Sequence, residues 1–154
     1  MRKGKAPIRP TVPDSKFQST VVTKFINSLM LAGRKAVARK TFYDALEAVE
    51  KKASEKGIEV FNKAIEQASP SIDLRRKNVR GATRQVPVEI RPARKKFYPI
   101  KWLITSARNR SEKTMVGRLA AEFIAASQGE GNAVKKKKEL HKMGEANRAF
   151  AHLR

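Results

Sequence analysis

The chain has 154 residues, of which 35 are Lys or Arg and 14 are Asp or Glu, giving a formal charge of +21 at pH 7. The length suits one domain, able to bury roughly 70% of its unfolded surface without covalent staples. Cysteine is absent, which excludes a disulfide framework, thiolate catalysis and any Cys-based zinc or iron–sulfur site.

Residues 1–13 carry four cations (Arg2, Lys3, Lys5, Arg9) and three prolines (Pro7, Pro10, Pro13), a composition that predicts an extended basic arm ordering on a partner. No apolar stretch follows Met-Arg-Lys-Gly-Lys, so no secretory leader is expected, and no apolar run reaches the ~20 residues of a membrane span. Val21, Val22, Phe25, Ile26, Leu29 and Met30 then mark one helical face, with Ser19 placed to cap it and Gly33 where a left-handed residue is wanted. Ala38, Phe42, Ala45, Leu46 and Val49 predict a second helix, with Gly57 beyond its end. Val60, Phe61, Ala64, Ile65 and Ala68 predict a third, stopped by Pro70.

The period then changes to two. Ile72 and Leu74, then Val86, Val88 and Ile90, alternate with polar residues around a Val79-Arg80-Gly81-Ala82 tip, which predicts a β-hairpin over 71–91. Pro87 is compatible with a two-stranded ribbon, where both strands are edges. Arg75, Arg76, Lys77, Arg80 and Arg84 leave its middle almost without apolar surface, so it should project from the body with a mobile tip. Helical spacing returns at Ile100, Leu103, Ile104 and Ala107, with Pro99 read as a first-turn residue. Thr114 can cap a helix carrying Val116, Leu119, Ala120, Phe123 and Ile124, which ends before Gly129 and Gly131. A last helix from about Asn132 shows a thin stripe of Met143, Ala146 or Asn147, and Phe150, weakened by Gly144.

The expected fold is therefore mainly α: a six-helix bundle with one protruding two-stranded antiparallel β-hairpin and a basic N-terminal extension. It forms one domain over 1–154, divided into an arm (1–13), three helices (14–70), the hairpin (71–91) and three helices (97–154).

The charge is segregated. Residues 1–40 carry net +9, residues 41–70 net −2 and residues 71–154 net +14. A polyanion touching the two flanking parts, with 41–70 turned away, accounts for this, and nucleic acid is favoured over an anionic membrane surface. The candidate contacts are Arg2, Lys3, Lys5 and Arg9 in the arm, with Arg75, Arg76 and Lys77 on the hairpin. Lys35, Arg91, Arg94, Lys95, Lys96, Lys113, Arg118, Lys135, Lys136, Lys137, Lys138 and Lys142 supply further basic faces. A narrow ribbon can enter a groove closed to a globular face, and Arg bonds phosphate in fork geometry. Four successive lysines at 135–138 fan over roughly 300° of a helix, so they lie on a rim against phosphate or in solvent. Trp102 is read as buried or half-buried at a helix junction, and Phe42, Tyr43, Phe61 and Phe123 as core. Glu47 and Glu50, one turn apart, read as a surface ion-pair pattern.

Two histidines, His141 and His152, lack carboxylates at metal-ligand spacing, and no phosphate loop or nucleophile elbow is present. The chain reads as a binder with no cofactor, no catalytic residue and no homo-oligomer. The competing class is an architectural DNA-binding protein with basic β-arms, which would carry an apolar wedge at the arm tip.

The chain also resembles a known family. Residues 83–91 (Thr-Arg-Gln-Val-Pro-Val-Glu-Ile-Arg), Trp102-Leu103-Ile104, Arg110-Ser111-Glu112-Lys113-Thr114-Met115 and Ala133-Val134-Lys135-Lys136-Lys137 are similar to motifs of the bacterial-type small-subunit ribosomal protein seven family. So are His141-Lys142-Met143, residues 145–152, and in the N-terminal half Pro13-Asp14, Phe25-Ile26-Asn27, Gly33-Arg34-Lys35 and Tyr43-Asp44-Ala45. The chain departs from the family pattern at Arg80, where a second Gly is usual, at Arg84, where Tyr is frequent, at Gly117 and Gly144, where Ala is preferred, and at Pro99. The resemblance implies a helical bundle with a β-ribbon, part of a cytoplasmic or organellar ribosome. It implies primary binding to the 3′ major domain of small-subunit ribosomal RNA and nucleation of head assembly. It also implies that the tip (Val79, Arg80, Gly81, Ala82, Arg84) lies near exit-site transfer RNA and the messenger path, with small-subunit ribosomal proteins nine and eleven as neighbours.

Overall fold

A computed structural model describes Gly4, residues 10–79 and residues 81–153. Among the described residues the order is α1 (Thr20–Leu29), α2 (Lys35–Ala53), α3 (Gly57–Ala68), β1 (Ile72–Val79), β2 (Ala82–Glu89), α4 (Pro92–Arg108), α5 (Met115–Ser127), α6 (Gly131–Ala146) and a closing 3₁₀ helix (Arg148–Leu153). The mainly α fold with one antiparallel ribbon is as expected.

The bundle is organised on α5, which packs against α2, α3, α4 and α6. Phe25, Phe42, Phe61 and Phe123 come from four different helices and are fully buried. Every pair among them lies at 5.2–6.3 Å between ring centroids, mostly edge to face. Edge-to-face pairs of this kind contribute about 0.5–1.5 kcal/mol each beyond area burial. The knot ties α1, α2, α3 and α5 together at one point.

Helix boundaries follow local chemistry with corrections at Ser19 and Pro99. Thr114 caps α5 as expected, its hydroxyl accepting from the Gly117 amide at 3.2 Å. Ser19 occupies the N-cap of α1 without a side-chain bond. Gly57 lies beyond the end of α2, as expected, and Ser54 takes the left-handed position there, at φ 55°. Gly57 itself opens α3, where a Cβ would lie 2.5 Å from the Leu46 carbonyl oxygen, and its amide donates to Glu50 at 3.0 Å. Only Gly lets α3 start this close to α2. Pro99 is not a first-turn residue. Pro92 fills that role, and α4 runs through Pro99 despite the missing amide donor. Tyr98, the residue Pro99 would push out of helix, is held by its hydroxyl on Asp73 at 2.7 Å and by its ring stacked on Trp102 at 5.2 Å. Trp102 is half-buried in that stack, as read.

In the hairpin, Ile72 pairs with Glu89 and Val79 with Ala82, and Gly81, at φ +80°, lies at the tip. The outer half projects, with residues 75–78 and 81–85 exposed. The inner half is not freestanding, which corrects the expectation of a hairpin without core. α6 packs on both strands and the 3₁₀ helix packs on β2. Gly144 is buried against the Ile72 side chain, whose terminal Cδ1 stands where a Cβ would go. The α6 stripe is therefore Ala133, Val134 and Gly144, whereas Met143 is 46% exposed and Phe150 belongs to the 3₁₀ helix. Gly144 is thus a close approach of helix to ribbon.

Candidate nucleic-acid interface

The hairpin places its cations in a ladder. Arg75 lies opposite Val86, Arg76 opposite Gln85 and Lys77 opposite Arg84. Directly opposed residues share a face, so Lys77 and Arg84 set two cations side by side on the ribbon. The Arg84 guanidinium lies 5.2 Å from the Phe150 ring centroid, which braces β2 from the C-terminus.

The ribbon is joined to α4 through Asp73, which is 3% exposed. Its carboxylate accepts from Arg94 at 2.7 Å, from Tyr98 at 2.7 Å and from the Leu74 amide at 2.9 Å. Burial alone would push this carboxyl up; the bonds from Tyr98 and Arg94 outweigh it and hold it below the usual carboxylate range. Arg94, singled out for phosphate, is therefore also the ribbon's tether, with a side chain still 54% exposed. On the other side of the ribbon base, the Ser71 amide donates to His141 Nε2 at 3.2 Å, and burial together with Lys137 pushes that imidazole down. A bare, neutral Nε2 is the acceptor this bond requires.

The α6 lysines divide. Lys135, Lys138 and Lys142 are exposed and Lys136 is half-buried. Lys137 turns inward and donates to the Gln67 carbonyl at 2.7 Å, near the C-terminal end of α3. Burial and the adjacent Lys138 push its ammonium down. α6 is held at its start by Glu122, a fully buried acid that sequence reasoning did not single out. Glu122 accepts from the Ala133 amide at 3.0 Å and from Arg110 at 2.8 Å, while Arg110 also reaches Glu112 at 3.0 Å. Burial pulls the Arg110 guanidinium down, but its bonds to the two carboxylates hold it above its usual value. Arg118 is half-buried and donates to the carbonyls of Glu112 and Arg108, at 2.5 and 3.3 Å, so it shapes the α4–α5 turn.

Lys35, Arg91, Lys95, Lys96 and Lys113 are exposed. Lys35 and Arg39 share a cleft of about 550 Å³ with residues 10–15 and with Asn27 of α1. Asn27 also lines a neighbouring cleft with Lys24, Lys96 and Phe97, so the cationic surface continues from α2 across α1 to α4. Arg2, Lys3, Lys5, Arg9 and Arg80 lie outside the described residues. Lys24, Lys101 and Phe97 were missed by sequence reasoning, although the Lys95-Lys96-Phe97 run, an aromatic directly after two cations, was a visible signal.

The acids of 41–70 are, apart from half-buried Asp44, exposed on α2, α3 and the turn between them. Several are paired there: Glu47 with Lys16, Glu55 with Lys63 and Glu59 with Lys56, at 2.8–4.0 Å. Glu50 instead serves the Gly57 amide, so only Glu47 keeps the surface ion-pair reading. Near the arm, buried Asp14 accepts from Tyr43 at 2.9 Å, and the Thr23 hydroxyl donates to the Val12 carbonyl at 2.9 Å, fixing where the arm leaves the body. Among the described residues no group of three or more His, Asp or Glu is placed to hold a metal ion, and no helix is long and apolar enough to cross a membrane.

The family model described as Ribosomal protein S7p/S5e matches residues 1–148. The chain belongs to this family. It is 54% identical over 154 residues to the small ribosomal subunit protein uS7 of Cytophaga hutchinsonii, covering 100% of this chain and 99% of that one. It is 51% identical, with the same coverage, to the uS7 proteins of Sulfurovum sp. and Amoebophilus asiaticus. The resemblance read from the motifs is thus borne out across the whole chain, and members of this family are structural proteins, not enzymes.

Proposed function

We propose that the chain docks on small-subunit ribosomal RNA through the hairpin ladder and the basic surface of α1, α2, α4 and α6. As a member of the S7p/S5e family it is a structural constituent of the small ribosomal subunit, and its bacterial relatives are components of the cytoplasmic ribosome. The observation that carries the RNA reading is the ladder itself. Arg75, Arg76, Lys77 and Arg84 are exposed on both strands beyond the body, a cationic surface narrow enough to enter a groove and complementary to a polyanion.

Each phosphate neutralised releases condensed counterions, and folded RNA is recognised mainly by shape, phosphates and 2′-hydroxyls. A body with basic faces on several helices clamps a multi-helix junction and lowers the cost of later binding steps. The family context extends the reading to the 3′ major domain, to nucleation of head assembly, to a hairpin near exit-site transfer RNA and messenger, and to small-subunit proteins nine and eleven as neighbours. The paired acids of α2 and α3 face away from the RNA.

Arg75→Ala/Arg76→Ala/Lys77→Ala tests this. Binding to a 3′ major domain transcript should weaken, with the slope of log affinity against log salt falling by about 2–3, at roughly 0.7–0.9 per lost contact. Thermal unfolding of the helical body should be unchanged. An unaltered slope and affinity would refute the proposal.

A further inference from the structure

We infer that Phe97, on the α4 wall of a cleft shared with α1, is a stacking seat for one unpaired nucleobase of the bound RNA. Phe97 is 52% exposed, and among the described residues it is the only aromatic in the set of large exposed apolar side chains. Scattered exposed apolar residues need no explanation, but this one lines a cleft of about 290 Å³ with Ile100 and Lys96 of α4 and Lys24, Asn27 and Ser28 of α1. No carboxylate lines it. A third cation, Lys101 Nζ, stands over the Phe97 ring at 5.8 Å from its centroid and engages one of its two faces, so a base takes the other.

The ring's support is rigid. Tyr98 meets it edge-on at 6.0 Å, is itself stacked on Trp102, and is bonded through its hydroxyl to Asp73. The seat is thus fixed relative to the hairpin base. A flat apolar ring among three ammonium groups suits a ligand that joins a π-face to a negative charge, which a nucleotide does. Asn27 and Ser28 add an amide and a hydroxyl able to pair with a base edge. An acidic peptide would use the lysines but has no need of the ring.

The inference rests on the RNA-binding reading above, and the experiment separates the two. Full-length protein, Phe97→Leu and Phe97→Trp are titrated against a 3′ major domain transcript at several salt concentrations, with chemical probing of the RNA bases. Phe97→Leu keeps an apolar side chain but no π-face, and should bind about 10-fold more weakly, within the range of one base–aromatic stack. Stacking releases no counterions, so its salt slope should match that of the parent. Phe97→Trp should restore affinity, and one base should be protected by the parent and Phe97→Trp but not by Phe97→Leu. Parent-like binding and protection by Phe97→Leu would overturn the seat alone. Failure of the parent to bind the transcript would overturn both the seat and the RNA reading.

Discussion

Glu122→Gln isolates the effect of a buried charge at nearly constant volume. Glu122 is fully buried, with Arg110 at 2.8 Å on one oxygen and the Ala133 amide at 3.0 Å on the other. Removing one member of a buried ion pair costs about 3–5 kcal/mol when the other is stranded. Here Arg110 keeps Glu112 at 3.0 Å and its side chain is 25% exposed, which places the loss lower, at about 2–3 kcal/mol. The Gln carbonyl oxygen can still accept from Ala133, so the start of α6 stays docked. At ~2–4 °C per kcal/mol for a chain of this size, the melting temperature should fall by about 5–10 °C. Glu122→Ala additionally orphans the Ala133 amide, about 1–3 kcal/mol more, and leaves a void. Thermal unfolding orders the three proteins, and hydrogen exchange at Ala133 and Val134 should rise in Glu122→Ala but not in Glu122→Gln. A Glu122→Gln melting temperature within 1 °C of the parent would show that the pair contributes nothing net, and the reasoning would fail.

Two further perturbations concern the ribbon base. Asp73 has a lowered folded-state pKa, so its stabilisation is present above the unfolded value near ~3.9 and is lost as pH falls through the folded value. Asp73→Asn should therefore cost about 1–3 kcal/mol at pH 7 and flatten the loss of stability on acidification, read from urea midpoints at several pH values; parallel profiles would count against it. Gly144→Ala should gain about 1 kcal/mol of helix propensity and lose about as much in turning the movable tip of Ile72 aside, leaving stability within about 1 kcal/mol of the parent. Ile72→Val removes the colliding methyl, so the double variant should be more stable than the sum of the singles by about 1 kcal/mol, and simple additivity would refute the contact.

The sequence was most readable where spacing alone decides. The Phe25, Phe42, Phe61 and Phe123 periodicities placed four helices and their inward faces, and the switch to period two placed both strands. What stayed hidden depends on partners far along the chain. Asp73 reads as one more surface acid until Tyr98, 25 positions on, is seen to reach it. Pro99 reads as a helix start because nothing local announces that Tyr98 is pinned from outside. Gly144 reads as a weakness, and Gly57 does not read as a helix start, because a close approach by Ile72 or Leu46 leaves no local mark. Of the proposed contacts, the exposed cations were legible by type. The inward turn of Lys137 toward Gln67, 70 positions away, was not.

The bracing of β2 by the last helix sets the order in which a newborn chain can acquire its shape. Both strands leave the exit tunnel before α6 and the 3₁₀ helix, yet part of what steadies them, Gly144, His141 and Phe150, comes from those later elements. A two-stranded ribbon without such backing is marginal in water. A polypeptide terminated before residue 131 can still gather its four phenylalanines and tie β1 to α4 through Asp73, but its ribbon lacks the backing of α6 and the 3₁₀ helix, so synthesis of those two elements is the condition for a finished ribbon.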